Sequence, residues 1–239
     1  MFHEDAAGRL IVALDVPDND EELALVHGLD GAVSFYKVGL ELTLAGGLRE
    51  LIAELTRCRH RVFLDVKLPG DIPETIRRAV KAAAGLGVDL LTLSASADEA
   101  TVRAALEGRS GADRPKLLFV TWLSSMDSGD FTRAGGAGGF DAYVLDRCRR
   151  MAAAGCDGAI VSGPTIRLVR EAHPDLLLVS PGVRPRGAAA DDHKRSSTPG
   201  EAIAMGSDYL VVGRPITRAS DPRGAAMAII EDIGNALRG

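Results

Sequence analysis

Asp65, Lys67 and Asp71 place two carboxylates and one ammonium within seven residues, directly after the apolar run Val62-Phe63-Leu64. If that run is a strand, its side chains alternate between faces, so Asp65 and Lys67 project to the same side at its carboxyl end. Carboxylates bracketing an ammonium form an alternating cluster in which each charge offsets part of its neighbour's desolvation cost. Such a group can be held charged in a dry pocket, where it can stabilise negative charge that develops during a reaction. Taken singly, each charge also fits an exposed strand end followed by an aspartate helix cap. Pro69-Gly70 breaks the strand, and Asp71-Ile-Pro-Glu-Thr opens an amphipathic pattern through Ile76, Ala79, Val80 and Ala83.

The elements that must position this cluster are legible in the rest of the chain. Eight short apolar runs recur: Leu10 to Leu14, Phe35 to Val38, Val62 to Leu64, Leu90 to Leu93, Leu117 to Trp122, Ala159 to Val161, Leu176 to Val179 and Tyr209 to Val212. Segments with helical spacing lie between them, among them Glu21 to Leu29, Leu48 to Leu55, Thr101 to Leu106, Tyr143 to Ala153, Thr165 to Glu171 and Ala225 to Leu237. Continuous apolar strands alternating with amphipathic helices imply parallel strands covered by helices. Eight such units in 239 residues predict an α/β fold, a (β/α)8 TIM barrel forming one domain over residues 1–239, with a doubly wound open sheet as the competitor. In a barrel, chemistry sits on the loops that follow the strands.

Composition narrows the function. The chain is 46% hydrophobic and 26% charged, enough for a full core. A net charge of -5, only 4% aromatics and no lysine-arginine block argue against a nucleic-acid surface and for a small-molecule ligand. Cys58, Cys148 and Cys156 are odd in number and widely spaced, which reads as buried thiols in a reducing compartment, and the five histidines show no metal-type pairing. No leader pattern and no membrane-length apolar run is present, so a soluble cytoplasmic protein is expected.

Barrel logic assigns further candidates. Asp15 closes the first strand, LIVALD, at the active rim. Lys37 lies among apolar neighbours in FYKVGLEL, which is costly unless it meets an anion or a carboxylate; the alternative is a surface lysine on an edge strand. Thr121, Ser124 and Ser125 after strand five could hydrogen-bond a polar ring edge or cap backbone. The stretch Asp127 to Phe140, with Gly129, Gly135, Gly136, Gly138 and Gly139, lacks a nucleotide-cradle pattern and reads as a mobile loop partly covering the site. Arg184 and Arg214, each followed by proline, stand after strands seven and eight, where such barrels frequently bind phosphate. Gly182 and Gly213 would let backbone approach the anion, and His193 between them could add a donor.

These motifs, in order, resemble the orotidine 5'-phosphate decarboxylase family over nearly the whole chain: ALD at Asp15, YKVGLEL at Lys37, FLDVK at Asp65 and Lys67, DIPET from Asp71 to Thr75, VTWLSSMD around Ser124, SPGVRP at Arg184, and TPGEAIAMGSDYLVVGRPIT at Arg214. The resemblance implies cofactor-free decarboxylation of orotidine monophosphate, with no metal. Lys67 would protonate C6 of the pyrimidine within a Lys-Asp-Lys-Asp network of Lys37, Asp65, Lys67 and Asp71. Asp15, Lys37 and Thr75 would hold the ribose, Ser124 the pyrimidine edge, and Arg184, Arg214, Gly213 and His193 the phosphate. It also implies a homodimer with shared active sites, Asp71 and Thr75 entering from the second subunit.

The sequence departs from the family pattern at three places. The family writes Asp-x-Lys-x-x-Asp, whereas Leu68, Pro69 and Gly70 separate Lys67 from Asp71, and a bulge at Gly70 is the expected accommodation. His193 stands where relatives carry a phosphate-binding glutamine, and Ser94 where many carry histidine. Two other readings therefore remain: a magnesium-dependent sugar-phosphate lyase of the same superfamily, such as a hexulose-phosphate synthase, and a phosphate-ligand-binding homologue with impaired catalysis.

Overall fold

The structure is a computed structural model that describes residues 6–15, 19–185 and 196–239. Eight parallel strands close into a barrel in sequence order: β1 Leu10–Ala13, β2 Phe35–Gly39, β3 Arg61–Leu68, β4 Leu90–Leu93, β5 Lys116–Val120, β6 Gly158–Ile160, β7 Leu177–Ser180 and β8 Tyr209–Val212. The helices around it are α1 Asn19–Gly28, α2 Leu40–Ala45, α3 Leu48–Arg57, α4 Pro73–Ala84, α5 Glu99–Arg109, α6 Ser128–Arg133, α7 Phe140–Ala153, α8 Thr165–Ala172, α9 Pro199–Ala204, α10 Arg214–Thr217 and α11 Pro222–Arg238. The (β/α)8 expectation is met, and all eight apolar runs are strands to within a few residues. Among the described residues no helix is long and apolar enough to cross a membrane.

Alternation along each strand divides the core in two. Tyr36 and Val38 of β2 and Val62 and Leu64 of β3 face outward into the layer shared with the helices. Phe35 and Phe63 face inward with Ile11, Leu118, Val179 and Val211 to fill the barrel. Two residues further along the same inward rows stand Lys37 and Asp65, so the interior that is apolar below becomes charged at the carboxyl rim.

Three aspartates order the opposite face. Asp89, Asp157 and Asp208 immediately precede β4, β6 and β8, and each accepts a backbone N–H from the odd strand before it: Val62 at 2.8 Å, Leu117 at 2.9 Å and Leu178 at 2.7 Å. Arg114, Arg109 and Arg170 pair with them in turn. Carboxylates so bonded satisfy orphan strand donors and neutralise the guanidinium groups around them.

Several expectations need correction. The extra residue between Lys67 and Asp71 is not accompanied by a bulge at Gly70: the β3–β4 register is interrupted earlier, running from Leu64↔Leu91 to Leu68↔Leu93, so that four steps of β3 span two of β4. Lys67 sits in that irregularity at φ +49, a left-handed backbone uncommon for a residue with a Cβ. Gly70 instead lies against the β4 loop, where a Cβ would come within 2.8 Å of the Ser96 carbonyl oxygen. Asp71 does not cap α4; the cap position is Ile72, and the Asp71 carboxylate accepts from the Ile72 N–H at 2.6 Å.

The glycine-rich stretch is also more structured than a mobile loop. Asp127 and Asp130 form a reciprocal capping box on α6. Phe131 is buried against Trp122, Phe140 and Tyr143, with ring centroids 5.0–5.8 Å away. Cys148 and Cys156 are buried free thiols, pushed up to about 12 chiefly by burial, whereas Cys58 is exposed.

Candidate active site

A cavity of about 460 Å³ opens at the carboxyl ends of the strands, with Phe63, Val120, Ile160 and Val211 as its apolar floor. Asp15, Lys37, Asp65 and Lys67 line one side of it. Pairing across β1, β2 and β3 sets Ala13 beside Lys37 and Gly39 beside Asp65, which brings the side chains of three strands to one place. Lys37 Nζ lies 2.9 Å from Asp15 Oδ1 and 3.7 Å from Asp65 Oδ2, and Lys67 Nζ lies 2.9 Å from the same Asp65 oxygen. A Cβ at Gly39 would stand 3.2 Å from Lys37 Nζ and 3.3 Å from Asp15 Oδ1, so the glycine leaves room for that ion pair.

Charges therefore alternate as Asp15, Lys37, Asp65, Lys67. The inner two are nearly dry, with side chains 10% exposed at Lys37 and 14% at Asp65, while Lys67 is 43% exposed and faces the opening. Burial works to raise the Asp65 pKa, but the charges of Lys37 and Lys67, with hydrogen bonds from Lys67 and Thr92, outweigh it and hold the carboxyl below the usual carboxylate range. Asp65 is thus an anion at neutral pH that holds two ammonium groups in place.

Arg184 and Arg214, which follow β7 and β8, line the same cavity, together with Gly182, Gly213 and Ser124. Arg184 is buried, its backbone N–H donating to the Ser197 carbonyl at 2.9 Å and its Nη1 to the Val183 carbonyl at 3.0 Å. Gly182 takes φ +75, a left-handed turn that glycine adopts without strain. Arg214 opens α10 directly after Gly213.

Two sequence candidates lie away from this cavity within the chain. Asp71 and Thr75 are exposed, and neither lines it, so the three charges read as one cluster converge only in part: Asp15, and not Asp71, completes the alternation within a single chain. Thr121 is buried and donates to the Ile160 carbonyl at 2.9 Å, joining β5 to β6. Ser94 pairs with Ser96, their hydroxyls 2.7 Å apart. His193 lies outside the described residues.

The sequence reading missed Arg218, which adds a cation to the lining, and Trp122, which carries the aromatic cluster of α6 and α7 to the cavity wall. Trp122 is the only tryptophan and stands two residues from Ser124, a signal that was available. Thr92 was also missed; in the buried run LLTL nothing local marks it. Among the described lining residues, five cations face two carboxylates, so the cavity suits a ligand with several negative charges.

Over residues 8–229 the chain matches the family described as Orotidine 5'-phosphate decarboxylase / HUMPS family. It is 45% identical over 230 residues to the orotidine 5'-phosphate decarboxylase of Rhodopseudomonas palustris strain BisA53, covering 96% of both chains. It is likewise 45% identical over 230 residues to the protein of that name from Bradyrhizobium sp. strain BTAi1, covering 96% of this chain and 93% of the other. The crystal structure of orotidine 5'-phosphate decarboxylase from Lactobacillus acidophilus superposes with a TM-score of 0.81 at 33% identity, over 95% of this chain and 99% of that one.

Proposed function

This chain belongs to the orotidine 5'-phosphate decarboxylase / HUMPS family, and on that premise we propose how its cavity carries the reaction. The protein decarboxylates orotidine 5'-monophosphate to uridine 5'-monophosphate, a step of de novo pyrimidine biosynthesis. The observation that carries the mechanism is the alternation of Asp15, Lys37, Asp65 and Lys67 in a cavity that Arg184 and Arg214 also line.

Cleavage of the bond between C6 and the carboxylate leaves its electron pair on C6, with no adjacent carbonyl to delocalise it. Stabilisation has to be electrostatic and preorganised. The Lys67 ammonium supplies it and then gives a proton to C6, and the neutral amine regains a proton from solvent. Opposite charges about 4 Å apart are worth on the order of 4 kcal/mol at an effective dielectric near 20, so small displacements of Lys67 are costly. Asp65 beside the substrate carboxylate disfavours the ground state, and Lys37 holds Asp65 in place.

Arg184, Arg214 and the Gly213 backbone bind the phosphate, with His193 as a further donor, and this remote binding energy offsets the strain at C6. Ser124 holds the pyrimidine edge; Asp15 and Lys37 hold the ribose. The excess of cations in the cavity matches a substrate carrying both a phosphate and a carboxylate. The scheme uses no metal and no organic cofactor.

The working unit we infer is a cytoplasmic homodimer of one-domain barrels, residues 1–239 each. Asp71 and Thr75 would enter the neighbour's cavity to complete the Lys-Asp-Lys-Asp network and the ribose site. Their exposure supports this, as do Leu40 and Leu44 on α2 and Ile72 at the start of α4, which are 56%, 80% and 68% exposed.

The test is turnover of orotidine monophosphate, followed by its loss of absorbance, with wild type and Lys67→Ala. Wild type consumes substrate without added metal, whereas the variant keeps its fold and makes no product. A variant within a few-fold of wild type would remove the proton-donor role, and binding of uridine monophosphate without turnover by wild type would leave only a ligand-binding relative.

A further inference from the structure

The carboxylate between the two lysines is held from behind by a group outside the charged network. Thr92, fully buried on β4, donates its hydroxyl to Asp65 Oδ1 at 2.8 Å and accepts the Lys67 backbone N–H on the same oxygen at 2.9 Å. The two Asp65 oxygens are thereby given different work. Oδ1 is bound to Thr92, and Oδ2 faces both Lys37 and Lys67.

The backbone contact falls where β3 departs from its register with β4 and where Lys67 takes its left-handed conformation. Such a conformation persists only when its surroundings hold it. A hydroxyl both accepts and donates, so it can hold the Lys67 main chain and the Asp65 side chain at once. An apolar residue of the same shape would leave Lys67 N–H and Asp65 Oδ1 without this partner and free the carboxylate to turn about χ2.

We propose that Thr92 is a positioning residue for the decarboxylation: its hydroxyl fixes Asp65 and the Lys67 backbone in one arrangement, which presents the Lys67 ammonium to the bound pyrimidine. The assignment rests on the decarboxylase reading above. Thr92 does not line the cavity, so it acts through Asp65 and Lys67 and leaves the phosphate side untouched.

Steady-state turnover of orotidine monophosphate by wild type, Thr92→Val and Thr92→Ser tests this. A hydrogen bond to a charged group maps to a kcat about 10- to 100-fold lower in Thr92→Val, with KM within about 3-fold of wild type. Thr92→Ser keeps the hydroxyl and a kcat within about 3-fold of wild type. If Thr92→Val does not fold, Thr92→Ala compared with Thr92→Ser reads the same difference. The assignment is overturned if the hydroxyl-free variant keeps wild-type kcat, if serine falls as far as valine or alanine, or if the loss appears in KM alone. Wild-type protein that leaves the substrate intact overturns the decarboxylase reading itself, a result distinct from any difference among the variants.

Discussion

Glycine at position 67 should give a more stable protein than alanine there, although either change removes the ammonium. Lys67 stands at φ +49, where a Cβ costs about 1–2 kcal/mol. Glycine escapes that cost but has the more disordered unfolded chain, which returns about 0.5–1 kcal/mol. The difference is at most about 1.5 kcal/mol and about 0.75 kcal/mol at the middle of both ranges, in favour of Lys67→Gly. The 2.9 Å ion pair with Asp65 is lost from both variants and cancels. In a regular strand the order would reverse, because glycine is the poorer strand residue.

Urea denaturation of the two variants at pH 7 measures this difference, with equal slopes showing that the comparison is of stability alone. In thermal unfolding the mid-range difference corresponds to a shift of roughly 2–3 °C for a chain of this size, and the largest to about 6 °C. Alanine more stable than glycine would refute the left-handed backbone at Lys67 and the account of how the ammonium is aimed. Neither variant should turn over substrate, so stability and activity separate at a single residue.

Three further outcomes follow from the same geometry. Arg214→Ala should raise KM for orotidine monophosphate about 10- to 100-fold with kcat little changed, as loss of a charge-assisted phosphate contact requires; an unchanged KM in steady-state kinetics would count against the phosphate role. Because the Asp65 pKa is lowered on folding, its charge contributes stability that is fully present above the unfolded value of about 3.9 and is lost as pH falls through the lower folded value. The destabilisation of Asp65→Asn, read from urea curves, should be present at about pH 6 and shrink below about pH 4. Gly136→Ala would push a Cβ into the Phe131 ring, costing about 1–3 kcal/mol, and should change the near-UV signal of Trp122; an unaltered spectrum and melting curve would show that α6 is not packed as described.

The eight apolar runs determined the barrel, because a strand buried on both faces must be apolar throughout and carries that signal locally. The same pattern made Lys37 conspicuous among apolar neighbours, and the structure supplies its partners, Asp15 and Asp65. Glycine content misled at Asp127 to Phe140, where a capping box and an aromatic cluster order α6. The short helices α2, α9 and α10 went unread because four to six residues hold too little periodicity to be distinguished from a turn.

What the sequence by itself determined is the set of charged side chains and the rim to which they belong, since both depend on strand alternation and chain order. Only the tertiary structure decided which of them meet. Asp15 joins Lys37 because β1 pairs with β2, Asp71 stays outside its own chain's cavity, and the accommodation in β3 falls at Lys67 and not at Gly70. Thr92 acquires its place in the same way, since its two partners are 25 and 27 residues away and meet it only because β3 lies against β4. Contacts between strands depend on register, and register is a property of the closed barrel that no local run of residues encodes.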